Sequence, residues 1–352
     1  MRTCFGLVGA IAAGLVLTAN PAVAQGGFGA PSCVSTLVSG PAAAFRRFMP
    51  SEVKGPAALQ IRGLVARSLA WRPGETIRVC FKKGSRGAHQ RVIRVAREWM
   101  QYANIVLDFE ENGAPRMCGG GGLEDIRIDF IDNNGWWSAY GTLSRQRDPS
   151  MNLQFFGVDT PRYSDGRPAP ELELRRTILH EFGHALGLLH EHQSPAAGCD
   201  SEIDWEAAYK MGKGMGWDRE QVHAQLQAFT QIAEFNATEV DRKSIMHYSL
   251  PPELFRSGRN SRCWVPDNND LSEVDRRFIA AMYPRSGSPQ QTSGVSTAPP
   301  AGAATRGAKP PVALNDREEL VRQYETLLRQ AGLAADRIAT LTREFRKTVL
   351  GQ

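Results

Sequence analysis

His180-Glu181-Phe182-Gly183-His184-Ala185-Leu186-Gly187-Leu188-Leu189-His190 decides how this 352-residue chain folds. Four of its seven histidines fall between His180 and His192. His180 and His184 are one helical turn apart, so on a helix their rings project from one face toward a common point. Two imidazole nitrogens about 2 Å from a shared zinc ion need that placement. Glu181 stands beside the first of them, where a carboxylate reaches a water at such a metal without binding the metal itself. On a continuing helix, His190 would lie about 9 Å further along the axis and roughly 120° around it, out of reach. Gly187 supplies the escape, since glycine takes positive φ, ends the helix sharply and lets the chain return His190 to the same face. The competing reading is an amphipathic helix with incidental histidines, its Ala185, Leu186 and Leu189 in a core. H-E-x-x-H alone does not separate the two readings. The full spacing, with its glycine and third histidine, favours the metal.

Ser244-Ile245-Met246-His247-Tyr248 adds a second element. A lone methionine in a turn means a packed side chain, but in company with the long histidine motif it matches the turn that floors the metal site in metzincins. Glu191 directly after His190, with Tyr248 closing the second element, resembles the astacin family. The resemblance covers roughly residues 70 to 285, including Trp136-Trp137-Ser138-Ala139-Tyr140-Gly141 and the run from Leu271 to Pro284. It implies an α+β zincin fold: a mixed, mostly parallel sheet and an active-site helix in an N-terminal subdomain, then an irregular C-terminal subdomain. It further implies one catalytic Zn2+ held by His180, His184 and His190, with Glu181 as general base. Tyr248 would be a near or fifth ligand that swings to stabilise the transition state, and Glu191 would help hold the N-terminal segment of the mature enzyme. The family's cysteine before the Trp-Ser segment is absent at Gly135, no aspartate-containing inhibitory motif stands in 25–67, and Cys33 lies in a poor match to a cysteine-switch peptide.

Composition is that of a globular protein, at 42% hydrophobic and 22% charged residues. The net charge of +5 is scattered, without a basic block to argue for a nucleic-acid partner. Arg2, the apolar run Phe5 to Leu17 and the small residues Ala22-Val23-Ala24 form an export-signal pattern over residues 1–24. The run is too short for a membrane span, so the expectation is a secreted or periplasmic protein without stable membrane insertion. Cleavage would also remove Cys4, leaving Cys33, Cys80, Cys118, Cys199 and Cys263, widely spaced as in disulfides and without a C-x-x-C metal pair. Spacing does not fix connectivity; the pairing expected is Cys80 with Cys118 and Cys199 with Cys263.

Residues 25–67 read as a loose leader or pro-segment, and organised sequence runs from 68 to 285. Thr76–Phe81, Ile105–Phe109, Ile126–Ile131 and Met151–Phe156 are strand candidates, and Val92 to Ala103 recur at helical spacing. A long helix is expected over Glu171–Gly187, with short pieces near 203–212 and 218–230. Ser272 and Asp275 form a capping box for a helix ended by Pro284. Residues 286–313 have linker composition. Within 314–352, Leu320, Tyr324, Leu327 and Leu328, then Ile338, Leu341, Phe345 and Val349, form two helical stripes with Gly332 between them. This predicts a C-terminal hairpin, a packing or protein-partner-binding appendage.

His192 and His247 are expected as walls of the site, and His89 and His223 at the surface. One of Trp136 and Trp137 should pack inward while the other faces the cleft. Asp200, Glu202, Asp204, Asp267 and Asp270 lack an ordered calcium-loop pattern and read as solvated loop. An edge strand near 137–143 would align an extended polypeptide substrate. The function expected is a secreted zinc endopeptidase. Two alternatives are a zinc-containing non-hydrolytic binding module and a zinc hydrolase of cell-wall peptides.

Overall fold

The computed structural model describes residues 68–119, 123–132, 135–163, 165–194, 197–227, 240–285 and 317–350. The export signal, leader segment, linker and Cys33 lie outside them. The sheet is built around β1 (Thr76–Phe81), whose last three residues are all buried. Parallel partners flank it on both sides, and a strand so enclosed reads as an apolar run. Ser85 caps α1 (Arg86–Ala96) by accepting from the Ala88 amide, and a 3-10 turn over Arg97–Gln101 leads to β2 (Val106–Asp108). A small ribbon, β3 (Glu110–Glu111) with β4 (Ala114–Pro115), precedes β5 (Ile126–Asp129). β6 (Trp136–Ser138) and β7 (Met151–Leu153) complete the five-stranded order β2-β1-β5-β7-β6. All neighbours are parallel except β6, which runs antiparallel to β7 at the edge.

β1 spans the expected Thr76–Phe81, but the other three ladders are shorter than the expected strands. Ile105, Phe109, Phe130 and Phe156 lie outside them yet are buried in the same core. The apolar pattern records burial, which reaches one or two residues past the hydrogen-bonded pairs. The edge strand is likewise three residues long, because a 3-10 turn takes over at Gly141. Neither tryptophan on it is exposed: Trp136 is 3% and Trp137 7% accessible. His89 is a correction too. It stacks on Phe81 with centroids 4.1 Å apart, bonds the Lys83 carbonyl and is buried. His223 is half-buried, stacked on Trp205 and bonded to the Tyr209 hydroxyl at 2.7 Å.

The long helix α2 (Glu171–Ala185) packs against α1 and β6. Beyond it the chain is irregular, with α3 (Trp205–Gly214) capped by Asp204 and α4 (Arg219–Leu226) opened by an Asp218/Gln221 capping box. The Ser272/Asp275 capping box opens α5 (Glu273–Met282). Disulfides join Cys80 to Cys118 and Cys199 to Cys263, the expected pairing.

α6 (Arg317–Gln330) and α7 (Ala335–Leu350) form the hairpin, turning through Gly332 at φ +77°. Tyr324 stacks on Phe345 at 4.2 Å. Their apolar stripes share one cluster with Leu69 and Tyr140 of the preceding domain, so the hairpin is packed onto that domain.

Candidate metal centre

The C-terminus of α2 sets the site. Gly187 has φ +99°, the Leu188 amide bonds the Gly183 carbonyl at 2.9 Å and the Gly187 amide bonds the His184 carbonyl at 2.8 Å. These two bonds make a Schellman cap, which needs the left-handed residue that glycine provides. A Cβ at Gly187 would meet nothing nearer than 3.8 Å, so backbone conformation, and not space, calls for glycine. Two further carbonyls of the helix end are satisfied from afar. The Trp71 indole donates to Ala185 at 2.7 Å and the Tyr283 hydroxyl donates to Leu186 at 2.6 Å.

The turn brings His190 back beside His180 and His184, and their candidate ligand atoms all lie within 4.8 Å of one another. Each Nδ1 has an oxygen partner: Ile245 carbonyl at 2.7 Å for His180, Leu188 carbonyl at 2.8 Å for His184, and Gln193 Oε1 at 3.0 Å for His190. Gln193 donates its own amide to the Gln227 carbonyl, which turns its oxygen toward His190. Oxygen acceptors hold the ring proton on Nδ1 and leave Nε2 with a lone pair. His180 Nε2 is buried without a hydrogen-bond partner, and the Nε2 atoms of His184 and His190 face each other at 2.9 Å. Lone pairs in that relation repel unless a cation stands among them. Burial holds all three imidazoles below their ordinary pKa, His184 down to about 4, so they are the neutral donors a zinc ion takes. The donor set therefore fits zinc.

Glu181 lies on the same helix, fully buried beside the first histidine. Tyr248 stacks on His192 with ring centroids 4.6 Å apart and lies tilted against His190 at 4.0 Å. His192 is fixed by the Gln225 carbonyl at 2.9 Å and stacks on His190, and His247 is fixed by the Tyr248 carbonyl at 3.0 Å. A depression beside the triad is lined by Arg176, Thr177, His180, Ile245, His247 and Tyr248. Glu191 accepts the Asp241 amide at 3.0 Å, and burial pushes its carboxyl up to about 7. The N-terminal segment it was expected to hold lies outside the described residues.

The floor is Met246, 2% accessible, against which Gly183 of α2 presses so closely that a Cβ there would stand 2.4 Å from its sulfur. One supporting residue went unread in the sequence. Besides closing its capping box, Asp275 accepts from Ser244 Oγ at 2.7 Å and the Ile245 amide at 2.8 Å. It thereby holds Ile245 from its amide side, and through Ser244 Oγ, which accepts the Met246 amide at 3.0 Å, the following peptide whose carbonyl orients His180. Ser272-Glu-Val-Asp275 signalled only a helix start; nothing in it marked a second use of the carboxylate.

No family model and no curated protein matches the chain. Solved structures do. A structure of myroilysin aligns at TM-score 0.51 and 31% identity, covering 62% of this chain and 98% of that one. A crystal structure of myroilysin gives 0.44 at 31% identity over 62% and 87%. High choriolytic enzyme 1, a hatching enzyme zinc-protease from the medaka fish Oryzias latipes, gives 0.40 at 19% identity over 61% and 94%. The first likeness carries the assignment, since this chain spans nearly the whole of an astacin-family metalloprotease at 31% identity. With three neutral histidines gathered around one point by a glycine-capped helix, this chain belongs to the astacin family of zinc metalloendopeptidases.

Proposed function

We propose that the protein is an exported endopeptidase in which His180, His184 and His190 hold one zinc ion and Glu181 is the general base. The observation that carries this reading is the commitment of all three Nδ1 atoms to oxygen partners, which leaves three Nε2 lone pairs gathered together, with Glu181 next in sequence to the first histidine. A zinc ion held by neutral imidazoles supplies a Lewis acid for a peptide carbonyl and lowers the pKa of water toward about 7. The Glu181 carboxylate takes a proton from the attacking water and passes it to the leaving amine nitrogen. Its burial excludes bulk water that would otherwise compete for that proton. The Tyr248 phenol meets the negative charge that develops on the carbonyl oxygen of the scissile bond. β6, at the sheet edge, offers backbone groups to an extended substrate. Export is supported by the signal pattern at residues 1–24 and by two disulfides, which persist in oxidising compartments.

The test compares the parent and its Glu181→Gln variant by metal analysis and by mass spectrometry of a diverse peptide library. Crosslinked cell-wall peptides form a second arm. The variant is expected to keep one zinc and lose turnover by about 10^4-fold. Near-normal cleavage by the variant would overturn the assignment of Glu181, and cleavage confined to wall peptides would move the substrate class.

A further inference from the structure

Leu188, Leu189 and His190 answer to three different parts of the protein. The Leu188 side chain lies in the sheet core, and its carbonyl orients His184. His190 turns to the metal centre. Leu189, between them, packs against the apolar cluster that the C-terminal hairpin forms with Leu69 and Tyr140. The same cluster takes in Tyr140, two residues past β6, together with Leu143 and Leu69. The Leu69 carbonyl in turn accepts the Thr142 amide at 2.8 Å and the Thr142 hydroxyl at 3.1 Å. One apolar cluster thus joins the hairpin to the ligand-bearing turn, the exit of the edge strand and the segment 68–71. Arg317, the first residue of α6, latches it there: its guanidinium donates to the carbonyls of Ser68 at 3.4 Å, Ala70 at 3.1 Å and Val349 at 2.7 Å. Trp71, next in line, caps α2 behind His184.

The helices' other faces carry the ion pairs Arg322–Glu319, Arg329–Glu325 and Arg346–Glu318. The apolar stripe that the sequence left open to a partner is filled by this chain itself. We propose that the hairpin is an intramolecular clamp, a positioning element that holds the 188–190 turn and the edge-strand exit, so that its docking and metal retention are coupled. This rests on the reading of His180, His184 and His190 as the zinc ligands.

The test uses the full chain in the Glu181→Gln background, where self-cleavage does not contribute. Zinc loss to an excess of chromogenic chelator is timed well below the unfolding temperature, with near-UV circular dichroism as the check on folding. Arg317→Met removes the latch, and Leu189→Ala removes the contact at the ligand turn. Each should speed zinc loss roughly tenfold, as loss of a group supporting a metal ligand does. Together they should do little more than either alone, while Arg346→Met on the outer face should leave the rate unchanged. Folded variants that lose zinc at the parent rate overturn the clamp, and so does full additivity of the two. A parent that binds no zinc overturns the metal site itself. Should Leu189→Ala fail to fold, Arg317→Met decides the matter, because it alters no residue of the site.

Discussion

Gly183→Ala should destabilise this protein, although the same exchange within a helix ordinarily stabilises. Gly183 is internal to α2, where alanine is worth about 1 kcal/mol more than glycine. The new Cβ would stand 2.4 Å from Met246 Sδ, 3.2 Å from its Cε and 3.3 Å from Trp99 Cζ2. Carbon contacts sit at about 3.5–4.0 Å, so the overlap with the sulfur is on the order of 1 Å. Trp99 does not yield, being fully buried and bonded through its indole to the Leu179 carbonyl at 3.1 Å. Met246 must move, and although its thioether end is flexible, the side chain is only 2% accessible within the packed core, so turning it displaces other packed groups. Overpacking a buried site costs about 1–3 kcal/mol, and an overlap of this size belongs in the upper part of that range. Against the helix gain, the net loss is about 1–2 kcal/mol, or roughly 3–6 °C in Tm for a domain of this size.

Thermal unfolding with zinc present and a competitive zinc titration measure both consequences. The decisive comparison is a double-mutant cycle. In a Met246→Ala background the clash is gone, and Gly183→Ala should raise Tm, reversing its sign. Equal or higher stability of the single variant, with unchanged zinc affinity, would show that the floor is soft and the close approach of no consequence.

Three further outcomes follow from the site and its frame. Tyr248→Phe keeps the ring packed against His190 and His192, so zinc affinity should hold while kcat falls about a hundredfold, less than for Glu181→Gln; a loss as complete as that of Glu181→Gln would contradict the proposed role of Tyr248. The Cys199–Cys263 bridge closes 64 residues, worth about 4 kcal/mol by chain entropy, so replacing both cysteines with serine should lower the guanidinium midpoint more than any single surface change; an unmoved midpoint would refute this. Burial depresses His184 to about 4 and His192 to about 3, against about 6.5 in the unfolded chain, so between pH 6.5 and 4 the unfolded state binds protons that the folded state refuses. The urea midpoint of metal-free protein should therefore fall as pH is lowered through that window, and a flat profile would contradict the burial of these rings.

The parts of the site legible in the sequence were those whose geometry is local. Two histidines at helical spacing share a face wherever the helix sits, and a glycine three residues beyond the second makes the Schellman turn from its own φ. The strands were legible as buried runs, but not their ends, because an apolar residue beside a ladder is as buried as one within it. His89 misled for a related reason. Polar Gln90 and Arg91 follow it in sequence, whereas its ring contacts, Phe81 and Phe130, lie outside its own helix.

What the sequence withheld is the support that distant segments give to each ligand. His180 is oriented by the carbonyl of a residue 65 positions away, and the amide of that residue is held by Asp275, a further 30 residues on. His190 relies on a glutamine three residues on, but that glutamine's amide is turned by the Gln227 carbonyl, 34 residues away. Backbone carbonyls have no residue type, so no motif can announce them. The same holds for the hairpin. Its stripes declared that they would be buried, but only the fold could say that Leu69, Tyr140 and Leu189 would bury them. A metal centre whose ligands are local and whose supports are remote divides its evidence accordingly. The chemistry is written in one short run of residues, while the precision of that chemistry depends on the whole domain being folded around it.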